Sequence, residues 1–195
     1  MDAISILVLI NLIVSTSANW GGARKGLKTS ITKVDERPVT YLQKIPPNVS
    51  ALVFVLIILS FFGVGILNDY ADEKYLYIRT IGLLLYVAFS WLQIKSYKTL
   101  GDYYTQDIAI LKNHKLVTKG PYKFIRHPQY LSQILSDLGA GLALGSFLIV
   151  PIALLLELPL FILRAGLEDK LLEKRFGEEY VNYKKSTPFM IPFIR

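Results

Sequence analysis

Two stretches of the chain carry residue types that packing against hydrocarbon does not need. The first is His114-Lys-Leu-Val-Thr-Lys-Gly-Pro-Tyr-Lys-Phe-Ile-Arg-His-Pro-Gln-Tyr130, which holds both histidines of the chain, His114 and His127. Gly120-Pro121 is a turn signal. Arg126-His127-Pro128 reads as a helix start, because the N–H that proline lacks would be unpaired in a first turn anyway. The free amides and the helix dipole at such an end favour an anion such as a carboxylate. The second stretch is Arg164-Ala-Gly-Leu-Glu168-Asp169. Arg164 and Glu168 are four apart and share a helix face. Arg126 or Arg164 could fix a carboxylate through a bidentate pair. His127 or Glu168 could take a proton from an amine or a thiol, and adjacent acids could hold an ammonium group. Each stretch also has a plainer reading: a lipid-headgroup anchor for the first, a solvated helix start for the second. Asp137 and Glu157 are two further acids inside apolar sequence, where a charge is costly and marks pairing or function. The plainer reading there is a polar contact between helices.

The elements that position these residues are apolar runs. A helix that spans a bilayer needs about 20 mostly apolar residues. Ala3 to Asn19 is a short first span, with acidic Asp2 and no basic residue before it, and it reads as an uncleaved helix rather than a signal peptide. Val49 to Leu67 is the second and Tyr75 to Ile94 the third. Tyr130 to Leu163 is too long for one helix, and Gly139, Gly141, Gly145 and Pro151 punctuate it. It predicts a helical hairpin, Tyr130 to Leu144 and Phe147 to Leu163, turning near Gly145 and Ser146. Beyond it, Leu167, Leu171, Leu172 and Phe176 follow helical spacing, Gly177 interrupts, Tyr180 and Tyr183 continue the apolar side, and Pro188 ends the helix. The expected fold is an all-α integral membrane protein of about five transmembrane helices, the last two a hairpin, with a C-terminal cytoplasmic helix. The 195 residues fit a single membrane domain, with three N-terminal helices in 1–94 and a catalytic, cofactor-binding region in 95–195.

Composition and charge agree with that division. Hydrophobic residues make up 52% and charged residues only 19%, below the quarter usual for soluble domains. The chain has no cysteine, which removes disulfides, a thiolate nucleophile and cysteine-ligated metal, and two histidines leave little for a histidine-rich centre. No metal is expected. Twenty of the 22 basic residues fall in 20–48, 95–129 and the tail from Arg164, and only Lys74 and Arg79 fall opposite. Five spans place those three segments on one side, which the positive-inside rule makes cytoplasmic, with the N-terminus outside and the C-terminus and site inside. The net charge of +7 then fits anionic membrane lipid. Basic residues beside spans, not on one extended face, argue against nucleic acid.

Taken together, the two stretches are more specific. Gly120-Pro121-Tyr122, Arg126-His127-Pro128 and Tyr130, a hydrophobic hairpin, then Arg164, Glu168-Asp169, Leu172, Phe176-Gly177, Tyr180 and Tyr183 resemble the isoprenylcysteine carboxyl methyltransferase family and its phospholipid methyltransferase relatives. His114-x-Leu-Val-x-x-Gly fits the lead-in, and the run from Tyr183 to Phe193 fits the close. The resemblance covers about 95–195. It implies an S-adenosylmethionine-dependent methyltransferase. It implies that His114, Leu116, Val117, Gly120, Tyr122, His127, Pro128, Tyr130 and Glu168 contact the cofactor. Arg126, Arg164, Glu168 and Asp169 are then the expected catalytic and substrate-positioning residues. The implied partner is a lipidic or prenylated small molecule, foremost the carboxylate of a prenylated cysteine. Alternatives are a phospholipid or other N- or S-methyltransferase, a sterol-reductase-like enzyme, or a non-catalytic lipid-binding protein. The oligomeric state is left open. Two departures bear on the acceptor: Asp169 stands where the family usually has Glu, and Ser132 where it often has Gly.

Overall fold

The computed structural model describes residues 1–32 and 34–191. Lys33 and Arg195 of the basic set, and Pro192 and Phe193 of the family-like close, lie outside the described residues.

The chain is helical, as its apolar runs predict, but the boundaries shift for local reasons. Helix α1 spans Ala3–Thr32, and its apolar part is Ala3–Gly22. A short strand β1, Val34–Glu36, follows it. Helix α2 is Ile45–Ser60, beginning and ending earlier than the hydropathy of Val49 to Leu67 implies. Pro46 and Pro47 occupy its first turn, where the N–H groups they lack would be unpaired anyway, so the helix starts ahead of the apolar run. Gly63 and Gly65, both at positive φ, take the chain out of it.

Helix α3 runs over Leu76–Leu100, strand β2 is Ile110–Leu111, and α4 is Pro128–Leu144. The predicted hairpin turn is present: Gly145 adopts a left-handed conformation, and a Cβ there would collide with the Tyr70 ring. Its second arm is α5 (Ile149–Ile152), a π-helical turn over Ala153–Glu157, and α6 (Leu158–Phe176). That arm does not stop at Leu163. It continues to Phe176 without a break, so the span and the expected tail helix are one element. Gly177 interrupts it at φ 55, and α7 (Glu178–Ser186) completes the tail.

Four of these helices are long and apolar enough to cross a membrane: Ala3–Gly22, Tyr41–Ser60, Glu73–Tyr103 and Ile149–Phe176. The fifth, α4, is shorter and mostly buried, enclosed by the others. It packs closest on α3. At Gly82 of α3 and Gly139 of α4 an added Cβ would lie 2.5 Å from backbone of the facing helix. Small residues let helices approach this closely inside a bilayer, where dispersion contacts drive their association.

The two ends of the bundle differ in chemistry. At one end Arg79 donates to Asp2 Oδ1 at 2.6 Å and to the Ala143 carbonyl at 3.1 Å. There too the chain after α2 meets the hairpin turn, with Leu67 N–H donating to Gly145 O at 3.0 Å. At the other end lie the antiparallel β1–β2 pair, the loop 101–127, the end of α6 and α7. Both stretches singled out for chemistry lie there.

Candidate active site at the basic end of the bundle

Helix α4 begins where the Arg126-His127-Pro128 run predicts, with Pro128 in its first turn. Two backbone bonds tie this start to the tail: Arg126 N–H to Pro188 O at 2.9 Å and His127 N–H to Phe189 O at 3.1 Å. Asp169 on α6 fixes the side chains. It accepts from Arg126 Nη2 at 3.1 Å and from the Tyr180 hydroxyl of α7, and it lies 2.7 Å from His127 Nε2. A carboxylate can only accept, so His127 donates from Nε2 and turns Nδ1 toward Glu168 Oε2, 3.7 Å away.

The two adjacent acids therefore separate. Neighbouring residues on a helix point about 100° apart. The Asp169 side chain is only 9% exposed and fully committed, whereas that of Glu168 is 34% exposed and lines an open cavity.

That cavity joins the two stretches. His114, Leu116, Val117, Tyr122, Arg126, His127 and Tyr130 line it from one side, Arg164 and Glu168 from the other. Of the residues that the family resemblance assigns to the cofactor, Gly120 and Pro128 stand outside the lining. Gly120 sits at φ 60 against Thr99, and Pro128 is fully buried. Asp169 also stands behind the wall. Leu172, Tyr180 and Tyr183 line it as well, and sequence reasoning missed Leu100, Tyr103, Thr105, Asp107, Ala109 and Gln129.

The arginines are more engaged than free carboxylate receptors would be. Arg164 donates from Nη1 to Leu42 O at 2.6 Å, from Nη2 to Gln106 O at 2.6 Å and from Nε to the Tyr130 hydroxyl at 3.1 Å. It thus ties the turn before α2 and the 104–108 loop to α6. Arg126 donates from Nη1 to Thr187 O at 2.5 Å besides its bond to Asp169. Its Nε is buried without a partner among the described residues.

Aromatic rings complete the wall. His114 stacks on Tyr103 with ring centroids 5.5 Å apart, and His127 stacks on Tyr130 at 5.7 Å. Burial holds the His114 imidazole below its usual range, partly offset by the nearby Glu168 charge. Burial, then the Glu168 charge, keeps the Tyr122 hydroxyl well above its ordinary value. The cavity thus presents the carboxyl groups of Glu168 and Asp107, the guanidinium groups of Arg126 and Arg164, ring faces and hydroxyl groups. No group of three or more metal-ligating side chains exists among the described residues.

A membrane-embedded helical bundle with one polar, ring-lined cavity at its basic end is the class of protein these features define. The family described as Phospholipid methyltransferase matches residues 77–179, more than half of the chain, and the chain belongs to it. Among curated relatives, the protein-S-isoprenylcysteine O-methyltransferase of Schizosaccharomyces pombe is 36% identical over 83 residues, 43% of this chain and 35% of that protein. Protein-S-isoprenylcysteine O-methyltransferase B of Arabidopsis thaliana is 27% identical over 124 residues, 63% of each chain. The Mus musculus enzyme is 31% identical over 121 residues, covering 61% of this chain and 43% of that one. The chain thus spans between about a third and two thirds of the length of these relatives. A solved structure of the eukaryotic intramembrane Ras methyltransferase, isoprenylcysteine carboxyl methyltransferase, superposes with a TM-score of 0.63 at 20% identity, over 96% of this chain and 64% of that one. At that identity the match concerns the fold.

Proposed function

We propose that the chain is an S-adenosylmethionine-dependent methyltransferase acting on a lipidic acceptor, foremost the carboxylate of a prenylated cysteine, at the cytoplasmic face of a membrane. The observation behind this reading is that residues 114–130 and 164–168, parted by a hairpin in sequence, wall one cavity.

The wall suits the donor. Ring faces of Tyr103, His114 and Tyr130 offer stacking surfaces for a heterocycle and favourable quadrupoles for a cation. Glu168 provides a negative charge for an ammonium or for ribose hydroxyls. The unpartnered Nε–H of Arg126 is a donor in want of an acceptor, as a bound carboxylate would supply. When bound, the cofactor supplies a methyl group on a sulfonium, an electrophile with its leaving group in place.

The protein's task is then alignment and exclusion of water. Holding the acceptor in line behind the methyl–sulfur bond is worth several kcal/mol. A carboxylate acceptor arrives ionised and needs no base. Arg164, fixed by carbonyls of two loops, sets a positive potential at the floor of the cavity, which draws such an anion inward. Attraction between anion and sulfonium strengthens as water leaves.

The test is transfer of a radiolabelled methyl group by the purified full chain in lipid nanodiscs. A small prenylated cysteine should be labelled in base-labile, ester form, and the same compound with its carboxylate already esterified should not be. Calorimetry with S-adenosylmethionine alone checks the donor half independently. Absence of heat there, in a chain that melts cooperatively, ends the reading.

A further inference from the structure

A second cavity lies deeper, between α1, α2, α3 and α4, and its volume is about 380 Å³, within the range of small-molecule sites. Trp20 and Phe54, 69% and 40% exposed, stand at its rim, so it opens toward the surface that faces lipid. Its interior is not hydrocarbon-like. Asp137, Gln133, Gln93, Ser50 and Ser90 all face it.

Asp137 is half of a buried acid pair. It accepts from Gln133 Nε2 at 2.6 Å, and Gln133 in turn accepts from Gln93. Glu157, from the π-helical turn, is completely buried beside it and within its hydrogen-bonding reach. Ser50 donates to Glu157 Oε1 at 2.6 Å, and Glu157 Oε2 has no partner among the described residues. Among the described residues no ion pair places a cation on either acid. Two carboxyls in contact in a low dielectric cannot both be ionised, so the pair carries at most one negative charge, with no counter-ion among the described residues. Facing empty hydrocarbon, that charge and its amides would be costly. A site so lined calls for a cationic hydrogen-bond donor. The rings of Tyr86 and Tyr97 in the same wall favour the same kind of guest.

We propose that this cavity binds the ammonium group of a membrane amphiphile, with the Asp137–Glu157 pair as counter-charge and the hydrocarbon tail leaving past Trp20 and Phe54. Ser50, Gln93, Tyr97 and Gln133 also wall an intermediate cavity, which shares Gln129, Tyr130 and Arg164 with the proposed active site. From Gln129 to Asp137 along α4 is eight residues, about 12 Å. The bound ammonium therefore sits about 12 Å from the proposed reaction centre and is not the group that receives a methyl. The inference stands on this geometry and does not require the proposed reaction.

The test uses the full chain in nanodiscs of neutral phosphatidylcholine, with empty discs as background. Radiolabelled dodecylamine should bind saturably, one per chain, and dodecanol should compete at least tenfold more weakly than unlabelled dodecylamine. Asp137→Asn should weaken amine binding tenfold or more while leaving S-adenosylmethionine binding as it was. Equal competition by amine and alcohol on the unaltered chain, or no saturable binding above empty discs, overturns the proposal without any variant. An amine affinity that survives Asp137→Asn within twofold overturns it as well.

Discussion

The hairpin builds two acidic centres from the same pair of helical arms, and they are compensated in opposite ways. At the basic end of the bundle, Asp169 meets Arg126, His127 and the Tyr180 hydroxyl. Deeper in the bundle, Asp137 and Glu157 meet each other, two amides and a serine. The first centre is closed: each Asp169 oxygen accepts a hydrogen bond, and its charge is matched. The second is open: among the described residues Glu157 Oε2 has no partner and no cation pairs with either acid. A matched centre fixes geometry and has nothing left for a ligand. An unmatched one is costly by itself and acquires its balance from a guest. Location in a cavity is therefore a poorer guide to function than the state of the charge balance.

The sharpest way to break this contrast is Asp169→Ala. It leaves the Arg126 guanidinium buried and uncompensated, which should cost about 3–5 kcal/mol. Thermal melting should show a large drop in Tm, and proteolysis should open the tail after Gly177. Next in size is Glu168→Gln. Methyl transfer should fall about tenfold or more, yet Tm should move by only a few degrees, because this partly exposed side chain reaches only the Tyr130 hydroxyl and, at 3.7 Å, His127 Nδ1. A Tm loss as large as that of Asp169→Ala would erase the distinction between the two neighbours. Third, Asp137→Asn should leave Tm unchanged or raise stability by about 1 kcal/mol, since replacing an unmatched buried acid by a neutral isostere relieves it. Destabilisation by several kcal/mol would make the deep centre structural.

The smallest effect concerns pH. Burial depresses the folded-state value of His114 below the ordinary imidazole value of about 6.5. The folded protein thus binds fewer protons than the unfolded chain in this range, and the contribution is present above about pH 6.5 and lost as pH falls through the folded value. An imidazolium in the wall would also repel a sulfonium. Affinity for S-adenosylmethionine should decline a few-fold between pH 7.5 and 5.5, and His114→Phe should flatten the profile.

Most of the fold was legible because the signals were strong and local. Pro128 and Gly145 mark the ends of α4, and Gly177 marks the break before α7. The boundary of α2 was misplaced because hydropathy ranks Val64 and Leu67 with the span, whereas the positive φ of Gly63 and Gly65 ends the helix first. The site was legible in types and not in directions. Glu168 and Asp169 read as one acidic pair, and only the helix phase separates them. Both arginines read as receptors for a carboxylate, while most of their hydrogen bonds go to main-chain carbonyls that no spacing rule reveals. Tyr103, Thr105 and Asp107 come from a loop without periodicity, so nothing in the chain's pattern pointed to them. The amide bridge from Gln93 to Gln133 joins residues forty apart and needs the close approach at Gly82 and Gly139 to form.

The π-helical turn at Ala153–Glu157 sits upstream of every α6 residue named above. Such a turn admits one more residue than an α-helix would over the same rise. Wound instead as a regular α-helix, the same residues would swing the downstream half by roughly 100°. Arg164 and Glu168 would turn away from the cavity and Asp169 from His127, although none of them had been altered. The angular setting of the whole basic end is thus held by one wide turn at Ala153–Glu157, where the number of residues is constrained.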